Sequence, residues 1–123
     1  MKNLTRMLCA VSAAIAMAAP VAASDLKKLR KEDEFRSLVV GHKYYDDAGN
    51  WHIVNADGTL SGSYNKKKLV GAWNWQGRYY CRNIVLGQKK LPMDCQVVYA
   101  SQTQTQYHRN KGKGDKSKLH TRR

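Results

Sequence analysis

Carboxylates are scarce in this sequence: 9 Asp+Glu stand against 22 Lys+Arg in 123 residues. That scarcity leaves no pair marked for the acid–base work of a glycosidase. Histidines number only 4. His42 and His52 fall near a predicted hairpin beside Asp46 and Asp47, which could supply a base and its orienter. No nucleophile accompanies them, and Asp46-Asp47-Ala48-Gly49-Asn50 explains itself as a turn. The same loop offers oxygen ligands, but not at the spacing of an EF-hand loop. Asp57 belongs to Asp57-Gly58, a hairpin signal. GxSxG, HExxH and CxxC are all absent, and Gly112-Lys113-Gly114 has neither a preceding apolar strand nor a third glycine in register. The expectation is a protein that is not an enzyme, with no catalytic residue, no metal site and no cofactor.

Long apolar runs are also lacking. The longest, Met7 to Ala19, is well short of the roughly 20 residues that span a bilayer. Lys2 and Arg6 precede it, Pro20 breaks it, and Val21-Ala22-Ala23 puts small residues at a cleavage position. Residues 1–23 therefore read as a secretory signal peptide, cut after Ala23 or Ser24. No transmembrane segment is expected in the mature chain, which should be periplasmic or secreted.

Cysteine is sparse, with 3 in all. Cys9 would leave with the signal peptide. Cys81 and Cys95 remain, and an even pair in an exported chain reads as a disulfide. A loop of this size contributes about 3 kcal/mol by the loop-entropy model. The expected organisation is a signal peptide over 1–23, one disulfide-stapled domain over 24–110 and a basic flexible tail over 111–123.

What is abundant is positive charge, formally +13 for the whole chain. Loss of residues 1–23 removes Lys2 and Arg6 and no acid, leaving 20 basic residues against 9 acidic ones, or +11. Lys66, Lys67 and Lys68 form one cluster, and Lys89 and Lys90 a second. Arg109, Lys111, Lys113, Lys116, Lys118, Arg122 and Arg123 crowd the C-terminus, where Asp115 is the lone acid. A field of this sign favours anionic lipid, lipopolysaccharide or acidic polysaccharide as partner. Nucleic acid is disfavoured for an exported chain. Solubility alone is the plainer use of the same charge.

Periodicity supplies the fold class. Phe35, Leu38 and Val39 recur at helical spacing, predicting a short helix over about 31–39 that Gly41 would cap. From His42 onward the period is two. Predicted strands cover 42–46, 51–55, 59–64, 69–75, 78–86, 94–100 and 103–109, separated by turn chemistry such as Asn65-Lys66, Gln76-Gly77 and Gly87-Gln88. The expectation is a mainly β fold. An antiparallel meander of about six to seven short strands would form a curved sheet or small open barrel, preceded by one short helix. Alternation places Leu69, Gly71, Trp73 and Trp75 on one face. It groups Tyr79 with Cys81, and Cys95 with Val97 and Tyr99. Indoles, tyrosines and disulfide would then share one packed layer, with Gly62 and Gly71 leaving room for a ring. Arg82 and Asp94 would face away from the disulfide and could pair across strands.

The pattern Gly71-Ala72-Trp73-Asn74-Trp75, Tyr80-Cys81-Arg82 and Asp94-Cys95-Gln96, with Phe35 to Gly41 and Asn55-Ala56-Asp57-Gly58 before it, resembles a family of small exported alphaproteobacterial proteins. The resemblance covers the mature chain to about Asp115. It implies a signal peptide, a helix ending near a glycine, a G-x-W-x-W strand and two cysteines, and assigns no activity. Some members carry the label dihydrodipicolinate reductase. Such a reductase needs a dinucleotide fold, for which this chain lacks both fingerprint and length. The resulting expectation is a non-enzymatic β-domain that binds an anionic envelope component. A protein-binding module such as a periplasmic enzyme inhibitor is the alternative.

Overall fold

The computed structural model describes residues 25–123. The expected signal peptide, with Cys9, lies outside the described residues. The elements are β1 (Lys27–Leu29), α1 (Glu32–Leu38), β2 (Lys43–Tyr45), β3 (Trp51–Val54), β4 (Thr59–Tyr64), β5 (Lys67–Gln76), β6 (Tyr79–Leu86), β7 (Lys89–Ala100), β8 (Gln104–His108) and β9 (His120–Arg122).

The strand order β7-β6-β5-β4-β3-β2-β9-β8 returns to β7 through a β7–β8 pairing, so eight antiparallel strands close into a barrel. β1 adds to β7 at Val98–Ala100, just past the last β6–β7 pair, Tyr80 with Gln96. The expected β class, helix and disulfide are present; in place of the expected curved sheet or small open barrel of about six to seven strands there is a closed barrel of eight with one strand added. Closure depends on β9, which lies in the segment expected to be a flexible tail. His120 and Thr121 pair with β8, and Thr121 and Arg122 pair with β2. A strand of three residues among lysines is too short to reveal a period of two.

Gly62 and Gly71 permit the closure. A Cβ on Gly62 would strike the Trp51 carbonyl oxygen, and one on Gly71 the Asn83 carbonyl oxygen. The room they leave is filled by neighbouring backbone, not by a ring. Strongly coiled strands bring these backbones close where the barrel turns its corners.

Register decides which residues face inward. Directly opposed residues of an antiparallel pair share a face. Trp73 opposes Arg82 and Trp75 opposes Tyr80, whereas Cys81 opposes Asn74 and Cys95. The Cys81–Cys95 disulfide forms as expected, but on the outer face of the wall. The expected single layer of indoles, tyrosines and disulfide is therefore two layers, with Tyr80 rather than Tyr79 turned toward the tryptophans. Between Arg82/Asp94 and Ile84/Leu91 the register slips, with one residue of β6 facing two of β7. This bulge sets Leu91 and Asp94 three apart on β7, opposite the inward residues Ile84 and Arg82.

The core gathers at one end of the barrel. The turns β3–β4, β5–β6 and β7–β8 lie there, and α1 closes it. Glu32, Asp33 and Glu34 in its first turn suit the helix dipole. Phe35 is completely buried, with its ring 5.3 Å from those of Trp73 and Trp75 and 5.1 Å from that of Tyr80. The Trp73 indole N–H donates to the Asn55 carbonyl at 2.8 Å. The tryptophan layer is thus packed core beneath a helical plug.

Candidate functional site

An up-and-down barrel puts alternate loops at opposite ends. The β2–β3, β4–β5, β6–β7 and β8–β9 connections therefore share the end that α1 does not close. Inside this end lies a cavity of about 420 Å³, within the range of small-molecule sites. One wall is aliphatic, built from Leu69, Ile84, Leu86 and Leu91. The facing wall is polar, with His52 from β3, Tyr107 from β8 and His120 from β9. Arg82 and Gln96 line it as well, and Lys89, Arg109, Asn65 and Tyr64 stand among its lining residues toward the loops.

The polar wall is a connected aromatic cluster. His52 Nε2 and the Tyr107 hydroxyl share a hydrogen bond of 3.0 Å. The His52 ring stacks on Tyr44 at 5.9 Å and meets His120 edge-on at 4.8 Å. Burial, aided by the neighbouring His120, holds the His52 pKa down to about 3. Burial also lowers His120, opposed by the charge of Asp46. Both imidazoles are therefore neutral near pH 7. Burial pushes the Tyr80 and Tyr107 phenols up, so they stay protonated. His120 Nδ1 is buried without a hydrogen bond of acceptable geometry, with the Lys118 backbone beside it.

Arg82 is the least expected member. It is 7% exposed, and among the described residues its guanidinium makes no hydrogen bond or ion pair. The cross-strand pairing with Asp94 is present in register but not in contact. Asp94 instead accepts from Gln96 Nε2 at 2.8 Å and from the Asn110 backbone N–H at 3.1 Å. Burial lowers the Arg82 pKa from its ordinary value, partly offset by Tyr80 and Asp94.

The residues nominated from sequence are dispersed. Asp46 lies at the open end, where its carboxylate accepts from the Ala48 and Asn50 backbone N–H groups and from Asn50 Nδ2. Asp57 tightens the β3–β4 turn at the plugged end, accepting from the Thr59 backbone and hydroxyl. His42 precedes β2 at that same end, away from the cavity.

Most of the basic clusters converge. Lys66 sits in the two-residue β4–β5 turn, where Asn65 and Lys66 both take positive φ. Lys67 and Lys68 open β5, and Lys89 and Lys90 open β7. The turn at Gly87 lies against Lys67, and its N–H donates to the Lys68 carbonyl at 2.9 Å. Arg109, Lys111, Lys113, Lys116 and Lys118 occupy or flank the β8–β9 connection. That connection is anchored: the Arg109 N–H donates to the Asp115 carbonyl at 3.0 Å and the Ser117 N–H to the Tyr107 carbonyl at 2.7 Å. Lys118 pairs with Asp47 at 2.9 Å, whereas Lys111 lies over the Tyr79 ring on the outer wall, beside the β5–β6 turn of the plugged end, and does not join the mouth. Arg122 and Arg123 do not join them. Arg122 reaches the Leu38 carbonyl and the Tyr44 hydroxyl at the plugged end, and Arg123 lies 4.7 Å over the Tyr45 ring.

Fold and site together define a small antiparallel β-barrel with one plugged end and one open, basic end. Comparisons of the chain with family models, curated proteins and solved structures find no match.

Proposed function

We propose that this chain is a non-enzymatic exported β-barrel that binds an anionic component of the cell envelope through its open end. The observation that carries this reading is the gathering of three separate basic clusters around one mouth. Lys66–Lys68, Lys89–Lys90 and the pair Arg109 and Lys118 are far apart in sequence, and the β4–β5, β6–β7 and β8–β9 connections that carry them share one end. Each lysine near an anionic lipid surface contributes about 1 kcal/mol, and the attraction fades within a Debye length. The shared ligand chemistry is a surface dense in phosphate or carboxylate groups.

Co-sedimentation with vesicles tests this. The full chain should bind phosphatidylglycerol vesicles at low salt, release them as ionic strength rises, and ignore purely zwitterionic vesicles. Parallel titrations with lipopolysaccharide and with alginate separate lipid phosphate from sugar carboxylate as the preferred source. Salt-independent binding, or no binding to any of the three, would overturn the reading.

A further inference from the structure

We propose that the barrel interior is a binding site for a small aliphatic monocarboxylate, with the carboxylate on Arg82 and the chain along Leu69, Ile84, Leu86 and Leu91. This site is distinct from the lysine-rich rim and does not depend on an envelope surface being bound there.

The argument starts from Arg82. A buried guanidinium without a counter-ion is costly, and proteins pair or hydrate such groups. Asp94 faces it across the strands, but that carboxylate is already engaged by Gln96 and Asn110. Arg82 instead lines a cavity of about 420 Å³. Its planar fork matches a carboxylate with two parallel hydrogen bonds.

The shape of the site narrows the ligand. Arg82 is the one nine-tenths-buried cation among the described residues, while Arg109 and Lys89 are exposed. Arg109 and Lys89 also line the cavity toward the mouth, and Arg109 is near enough to oppose the Arg82 charge, so the selection for a monocarboxylate rests on the apolar wall beside Arg82 more than on the charge count. The neutral imidazoles of His52 and His120 add no charge at pH 7. The wall between Arg82 and the mouth is aliphatic, so an inorganic anion would leave it uncovered. An aliphatic chain ending in one carboxylate satisfies both features.

Isothermal titration of the full chain with decanoate, decanol and inorganic phosphate tests this. Decanoate should bind saturably at one site per chain, while decanol binds about tenfold more weakly and phosphate does not compete, a tenfold step being one lost charge-assisted contact. Arg82→Met should lower decanoate affinity at least about tenfold while raising the thermal midpoint, because it removes an unpaired buried charge. Ile84→Trp, which fills the aliphatic wall, should block decanoate even if the Arg82 variant folds poorly. Vesicle binding by the folded Arg82→Met protein should be unchanged, which separates this site from the rim. Equal affinity for decanol and decanoate, undiminished decanoate binding in Ile84→Trp, or no saturable binding by the parent protein would overturn the proposal.

Discussion

The two ends of this barrel are built from different chemistry. At the plugged end, Phe35 seals against Trp73, Trp75 and Tyr80, and most cations are occupied. Lys27 pairs with Glu34 at 3.0 Å and Arg36 with Glu32 at 3.2 Å. Lys43 lies 4.0 Å over the Trp51 ring, and Arg122 and Arg123 lie over tyrosines. At the open end, one ion pair, Lys118 with Asp47, serves the whole rim among the described residues. The contrast separates two uses of the same residue types. Aromatics and several paired charges hold one end shut, with Lys28, Arg30 and Lys31 unpaired beside the helix among the described residues, while unpaired lysines ring a half-apolar cavity at the other.

The sharpest way to break that contrast is to remove the plug. Phe35→Ala deletes a completely buried ring and should cost about 3–5 kcal/mol in chemical denaturation. Vesicle binding by whatever remains folded should hold. A cost under about 1 kcal/mol would mean that Phe35 is not seated on the core.

Breaking the staple should cost slightly less. Replacing Cys81 and Cys95 together with alanine removes a cross-link between residues 14 apart, worth about 3 kcal/mol. The bond lies on the outer face, so decanoate binding by the folded variant should persist. Its loss would show that the staple shapes the interior.

Acid should act through the histidines of the cavity. The folded-state pKa of His52 is about 3 and that of His120 is also lowered, while unfolded histidine titrates near 6.5. Their contribution is complete above about pH 6.5 and is lost as pH falls toward 3, because the unfolded chain then binds protons that the barrel excludes. His52 contributes a slope of about 1.4 kcal/mol per pH unit in that window, and His120 adds to it in the same direction. The groups facing His52 are His120, Asp46, Tyr44 and Tyr107. In denaturation series from pH 7 to 4, His52→Gln should reduce the slope by about one histidine's share. An unchanged slope would place the acid sensitivity elsewhere.

Reversing rim charge should affect stability least. Lys66→Glu with Lys67→Glu sits on an exposed turn and should shift stability by less than about 0.5 kcal/mol. A larger loss would give those lysines a structural role.

The sequence made one end far more legible than the other. Period-two alternation located the strands from Trp51 to His108 to within a residue or two, because each carries enough alternating aromatics and aliphatics to show its face, except for β7, whose first five residues, Lys89 to Met93, it left out. β1 and β9 escaped, being three residues each and set among lysines. Without β9 the barrel could not be seen to close, and the rim could not be seen to be a rim. The disulfide was placed correctly but assigned to the wrong face, because the face of Cys81 depends on its register with Asn74 rather than on proximity to the tryptophans. Arg82 was read as a surface partner for Asp94. Its inward direction follows from that of Cys81 one residue before it: with the disulfide on the outer face, Arg82 shares the inner face with Trp73. The lysine clusters themselves were plain; their convergence is a property of the topology.

The most direct test compares the two ends within one assay. The salt dependence of binding to phosphatidylglycerol vesicles should be measured for the parent chain, for Lys66→Glu/Lys89→Glu at the open end, and for Lys28→Glu/Lys31→Glu at the plugged end. The open-end reversal should weaken binding and flatten its salt dependence, and the plugged-end reversal should leave both near the parent values. Equal losses from the two ends would mean that net charge alone draws the protein to anions, and would contradict a dedicated basic mouth.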